Sequence, residues 1–200
     1  MHDTVRNVLT RFKFLRMLTD RMRATFTGLE RQKADILGRV KDWSADRLAY
    51  RAAAKEWSAV EVIDHLAKVE QGILAAVRRG VQTPQSVGVA DRLRSFLIYL
   101  LFRTRAKVRV PRAAAEVLPD PRAELGGVVK RWDATRIDLL ALLTEVDGSA
   151  LHAGVFRHPV SGWMTVPQVL RFLSVHMHHH VFQLDRIAAG VEEQTRTRNF

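Results

Sequence analysis

The 200-residue chain carries 32 basic and 21 acidic side chains, a formal net charge of +11, 47 % hydrophobic residues and no cysteine. That is the size and balance of one globular domain able to bury a core, and it excludes disulfide scaffolds, cysteine zinc sites and thiol nucleophiles. The basic excess raises nucleic acid, an anionic membrane surface or an anionic small molecule as partners.

Along the chain, Met1–Arg23 interleaves arginines with apolar residues, so no secretory apolar run forms. The longest apolar run, Phe96–Phe102, falls far short of the roughly 20 residues a spanning helix needs. These features lead us to expect a cytoplasmic protein. Helical periodicity predicts a first helix from about Val5 to Val40, broken near Thr27-Gly28, and then a link over Lys41–Trp57. Ser58-x-x-Glu61 is a capping-box pattern opening a second helix, which runs to Arg79 and is stopped by Gly80 and Pro84. A helical stretch over Ala90–Arg105 precedes an irregular connection, Val108–Pro121, with three prolines. Apolar residues recur at helical spacing through Arg122–Val146, and Asp147–Met164 is loop-like. The last helix opens at Thr165, with Pro167 near its start and Gln168 at the capping-box position, and is predicted to end near Gly190 before a polar tail. No alternating run is long enough to predict a sheet. The expected fold is all-α: a four-helix bundle over residues 29–190 with an irregular crossover, a basic N-terminal helical extension (1–28) and a C-terminal tail (191–200).

Four of the eight histidines fall in His176-Met177-His178-His179-His180. On a wheel centred on Leu173, Val166, Val169, Leu184 and Ile187 lie within about 40°, His180 at about 20° and His176 at about 60°. His179 and His178 fall near 120° and 140°, toward solvent. His176 and His180 therefore form an i, i+4 pair on the core face, two convergent imidazoles of the kind a metal needs. His65 flanks the apolar arc of the second helix and is a candidate third ligand, with Glu61 one turn earlier as a fourth ligand or base. Each has a plainer counterpart: His65 as a packed core residue, the HxxxH pair as a chance cluster, Glu61 as the capping residue alone.

Trp57-Ser58-Ala59-Val60-Glu61-Val62-Ile63-Asp64-His65-Leu66 resembles the W-S-x-x-E-x-x-x-H-L signature of the DinB-like (DinB/YfiT) superfamily. His158-Pro159-x-x-Gly162 followed by Thr165 is similar to that family's loop before the last helix, and His176-x-x-x-His180-x-x-Gln183 to its terminal motif. Val108-Arg109-Val110-Pro111 looks like the crossover of one branch. The resemblance covers about Leu29–Gly190. It implies a four-helix bundle, often a homodimer, in which three histidines, here His65, His176 and His180, hold a divalent metal. Imidazole ligands suit zinc or nickel, and three protein ligands leave coordination positions open. Some relatives are similar to thiol S-transferases or thiol-dependent isomerases that use low-molecular-weight thiols such as mycothiol or bacillithiol. Here such a thiol would come from outside, since the chain has no cysteine.

Glu61 and His179 are the candidates for moving protons toward a small-molecule substrate, and Gln183 for supporting a ligand. His158 is either at the pocket mouth or packed beside Pro159, and Trp57 and Trp163 are expected to be packing staples. The charge is concentrated: Arg92–Arg112 holds seven basic residues and no acid. Three readings of that stretch stay open: a solvated face, an anion site beside the pocket, or contact with an anionic membrane or nucleic acid. Two functions from different classes follow. One is a metal-dependent enzyme with thiol S-transferase or hydrolase chemistry. The other is a non-catalytic metal-binding bundle acting as a structural or interaction protein through its basic face.

Overall fold

The computed structural model describes residues 18–106, 112–148 and 150–198. The predicted helical segment 5–17 and crossover residues 108–111 lie outside these. Helix α1 (Asp20–Val40) is capped by Thr19, whose side chain accepts from the Met22 N–H, and buries Met22, Phe26, Leu29, Lys33, Ile36 and Val40 at helical spacing. It passes through Thr27-Gly28 without a break, contrary to the sequence expectation. A mid-helix glycine costs about 1 kcal/mol, and the buried stripe on either side, Phe26 and Leu29, outweighs that.

The link that follows contains one short helix, α2 (Ala45–Ala49), capped by Ser44. Helix α3 (Ala59–Gly80) begins with the predicted capping box: Ser58 and Glu61 each accept the other's backbone N–H. Helix α4 (Val89–Phe102) and a 3₁₀ turn (Arg112–Val117) follow, then helix α5 (Leu125–Glu145). Where a loop was expected, β1 (Phe156–His158) and β2 (Gly162–Met164) pair antiparallel with Phe156 opposite Met164. Strands of three residues are too short to show alternation in sequence. Gly162 closes their turn at φ +74°, where a Cβ would collide with the Asp91 carboxylate.

Helix α6 (Val166–Arg198) is capped by Thr165 and Gln168, each accepting from the other's backbone N–H. It does not end near Gly190 as expected but runs on to Arg198, so most of the predicted tail is helix. Gly190 is a packing site rather than a stop: a Cβ there would lie 3.0 Å from the Tyr50 hydroxyl.

Cross-helix pairs give the topology. Gln32 reaches the Ser174 carbonyl and Arg39 pairs with Asp185, so α1 and α6 run parallel. Lys33 pairs with Asp133 and Glu30 with Arg136, so α1 and α5 run antiparallel. Asp64 pairs with Arg131 and Arg78 with Asp138, so α3 and α5 run parallel. The bundle is thus up–down–down–up. Two successive parallel helices require a connection as long as the helix, about 33 Å for α3. The segment carrying α4 and the 3₁₀ turn spans it and lies across the bundle where α3 meets α6.

Candidate metal centre

His65 projects from the first turns of α3, and His176 and His180 from successive turns of α6; all three are buried. Each offers one ring nitrogen, and the three nitrogens lie within 4.8 Å of one another. The Nε2 atoms of His176 and His180 face each other at 3.2 Å. Two nitrogens bound tetrahedrally at about 2 Å from one zinc lie about 3.3 Å apart, so that separation needs little adjustment to admit an ion.

The other ring nitrogens of His65 and His180 are already committed. His65 Nδ1–H donates to the Val117 carbonyl at 2.7 Å, which fixes its tautomer and turns its Nε2 lone pair inward. Gln183 Oε1 lies 2.9 Å from His180 Nδ1 and sets that ring the same way. The crossover is held in place for this task. The Asp64 carboxylate, fully buried, accepts the Asp120 N–H at 2.8 Å and pairs with Arg131 and Lys68, while Lys68 Nζ donates to the Leu118 carbonyl at 3.0 Å. Asp64, His65 and Lys68 of α3 thereby hold residues 117–120 in place. Sequence reasoning missed Asp64, whose only signal is a carboxylate beside a predicted ligand, and Val117, because a backbone carbonyl has no side-chain signature.

Aromatic rings enclose the cluster. Trp57 lies 4.8 Å from the His65 ring and stacks toward His180 at 6.3 Å. Phe172 stacks on His176 at 5.5 Å, and Phe102 packs against it at 5.4 Å. His158 continues this line, 4.8 Å from Phe172. Its Nδ1 accepts the Val160 and Ser161 N–H groups, and its ring borders a cleft of about 410 Å³ shared with Arg94, Arg157 and Trp163. His158 thus packs its own loop and borders this cleft, with the Phe172 ring between it and His176.

Of the two residues expected to move protons, Glu61 is tied up in hydrogen bonds, whereas the His179 ring lies edge-on to that of His180 at 5.3 Å. Both Glu61 oxygens are engaged, one by the Ser58 N–H at 2.8 Å and one by Arg51 at 2.7 Å. His179 does not face solvent as the helical wheel implied; it is buried, with its ring 5.2 Å from Phe102 and a hydrogen bond to the Thr104 backbone. A wheel with one apolar centre fails here because α4 covers a second face of α6.

Burial lowers the pKa of His65 and of His158 to about 4. Burial, then the neighbouring imidazoles, holds His176 and His180 well below 6.5. All four stay neutral in the native metal-free protein at a pH where the unfolded chain takes up protons. The unfolded state thus binds more protons between about 6.5 and 4, and stability falls as pH falls through that window. Thermal unfolding of metal-free protein followed by circular dichroism should show a midpoint that is level near neutrality and declines steadily below about pH 6.5. A midpoint unchanged down to about pH 5 would contradict the neutral cluster.

The chain is similar to known proteins in sequence and in fold. The sequence profile of the DinB superfamily matches residues 28–184. No curated protein matches the chain. Among solved structures it is similar to YfiT from Bacillus subtilis, described as a probable metal-dependent hydrolase with an unusual four-helix bundle topology. That likeness has a TM-score of 0.54 at 18 % identity and covers 84 % of this chain and 86 % of the other.

Proposed function

The chain belongs to the DinB superfamily, and from that premise we propose that it is a metal-dependent enzyme whose ion is held by His65, His176 and His180. The observation that carries this reading is the convergence of three buried imidazole nitrogens, two of them on rings oriented by hydrogen bonds from behind. A neutral three-imidazole donor set suits zinc or nickel and leaves coordination positions for a substrate. When bound, such an ion supplies Lewis acidity, which polarises a carbonyl and lowers the pKa of a water or thiol.

The protein's own residues do the rest. Val117 and Gln183 fix the ring orientations, and Trp57, Phe102 and Phe172 keep bulk water from the imidazoles. The cleft beside His158, with the Phe172 ring between it and His176, is where a small molecule would enter. Hydrolysis is the favoured reaction, supported by the description of YfiT. Transfer to a low-molecular-weight thiol is the second reading, carried by the motif resemblance alone; with no cysteine in the chain, that thiol would come from outside.

The test is elemental analysis of untagged protein, followed by assay of the loaded protein on ester and amide substrates, with and without added thiol. About one divalent ion per chain and turnover that disappears in His65→Ala support the proposal. A loaded protein inert toward both water and thiol leaves a binding-only role. The supporting shell has its own signature: Gln183→Ala should keep the fold and lower metal affinity by about 10–100-fold in a competition titration against a chelator. Unchanged affinity would mean that Gln183 does not orient His180.

A further inference from the structure

Helix α4 has apolar residues on two opposite faces. At 100° per residue from Val89, the buried residues Ser95, Ile98, Tyr99 and Phe102 centre at roughly 230°. Val89, Leu93, Phe96, Leu97, Leu100 and Leu101 centre at roughly 40°, and these six are between 41 % and 83 % exposed. The inner face accounts for the packing of α4 on the bundle. The outer stripe has no partner among the described residues, and a contiguous apolar surface of this kind marks a contact with another molecule or with lipid.

Charge selects among the occupants. Arg92 and Arg94 flank the stripe on its two sides, Arg103 and Arg105 follow its C-terminal end, and all four are exposed. Arg94 is paired with Asp91 at 2.8 Å, the one acid on this helix. The sequence continues the excess, with seven basic residues and no acid from Arg92 to Arg112. Val160, 54 % exposed at the adjoining hairpin tip, and exposed Arg157 extend the same combination. Packing two copies through this face would bring the arginine groups together, an unfavourable juxtaposition of like charge. A nucleic acid would meet a stripe of leucine and phenylalanine where its phosphates need cations.

We propose that α4 docks in the plane of an anionic lipid surface. Its outer stripe sinks into the boundary between headgroups and acyl chains, a depth of about 5–10 Å, while the arginines remain at the level of the phosphates. The inner face of α4 stays on the bundle, and Phe102, in contact with His176 and His179, carries the surface contact toward the histidine cluster.

Co-sedimentation of the full chain with vesicles of phosphatidylcholine mixed with phosphatidylglycerol, and with pure phosphatidylcholine vesicles, tests this. The protein should partition onto the anionic vesicles and far less onto the neutral ones, and high salt should release it. Leu97→Asp with Leu100→Asp should lower partition at least about tenfold. Arg103→Glu should lower it at least about fivefold. Thermal midpoints should be unchanged in each variant, because these side chains lie outside the core. No partition at low salt overturns the proposal. So does a dimer in analytical ultracentrifugation that Leu97→Asp with Leu100→Asp dissociates, which would assign the stripe to a second copy. Equal partition of that variant and the parent, with tight duplex DNA binding, would assign the surface to nucleic acid.

Discussion

His180→Ala, purified without an affinity tag, is expected to carry essentially no bound divalent ion where the parent carries about one per chain. His180 is the centre of the cluster: its ring lies 4.9 Å from that of His65 and 4.7 Å from that of His176, and its Nε2 faces His176 Nε2. Its removal leaves two imidazoles from different helices, one of them no longer opposed by a donor nitrogen. Loss of a residue behind the ligands costs about 10–100-fold in affinity, and loss of a ligand should exceed that. His65→Ala should do the same from the α3 side. His178→Ala, exposed on the same helix and beside Phe182, should retain the metal and serves as the control for a general effect of altering this histidine tract. Circular dichroism separates metal loss from unfolding, since metal-free variants should keep their helical signal. Undiminished metal in both His65→Ala and His180→Ala would overturn the site.

Why that site was legible in the sequence, and other features were not, has a physical basis. Capping boxes are local: Ser58 with Glu61 and Thr165 with Gln168 act within one turn, so four residues suffice to recognise each. The i, i+4 spacing of His176 and His180 is likewise enforced by a single helix. The edge of its helix's apolar arc makes His65 a candidate, and the resemblance of motifs joins it to them, because its meeting with α6 depends on how two helices pack. Apart from the hairpin, whose strands are too short to read, the main misses are tertiary. His179 is buried by a helix distant in sequence, and Gly190 sits inside α6 because Tyr50 fills the space beside it. The Val117 carbonyl reaches His65 only after Asp64 and Lys68 have anchored the crossover. The charge excess located the basic segment correctly. The exposed apolar stripe of α4 was masked in sequence by the buried stripe on the opposite face of the same helix.

Arg136→Leu should be the most destabilising single change away from the histidines, costing about 3–5 kcal/mol. Arg136 is fully buried and forms an ion pair with the buried Glu70 carboxylate. Trp132 Nε1–H donates to the second Glu70 oxygen at 2.9 Å, and the Arg136 guanidinium reaches Glu30 at 3.4 Å and the Met177 sulfur at 3.5 Å. The network therefore ties α1, α3, α5 and α6 together at one level of the bundle. Burial pushes the Glu70 carboxyl upward in pKa, and Arg136 is the foremost of the groups that pull it back. Without the guanidinium, Glu70 must either remain ionised in a dry core or take up a proton, and both options cost free energy. For about 200 residues each kcal/mol moves the thermal midpoint by about 2–4 °C, so a fall of roughly 10 °C is expected in calorimetry. The sign with pH follows from the carboxyl: with its native pKa raised, the variant's native state holds a proton that the unfolded chain has released, so the deficit grows as pH rises toward neutrality and shrinks in mild acid. Glu70→Leu combined with Arg136→Leu should recover most of the loss, because what destabilises is an unpaired charge rather than a missing contact. A double variant as unstable as the sum of its singles would refute that account and assign the cost to lost packing around Trp132.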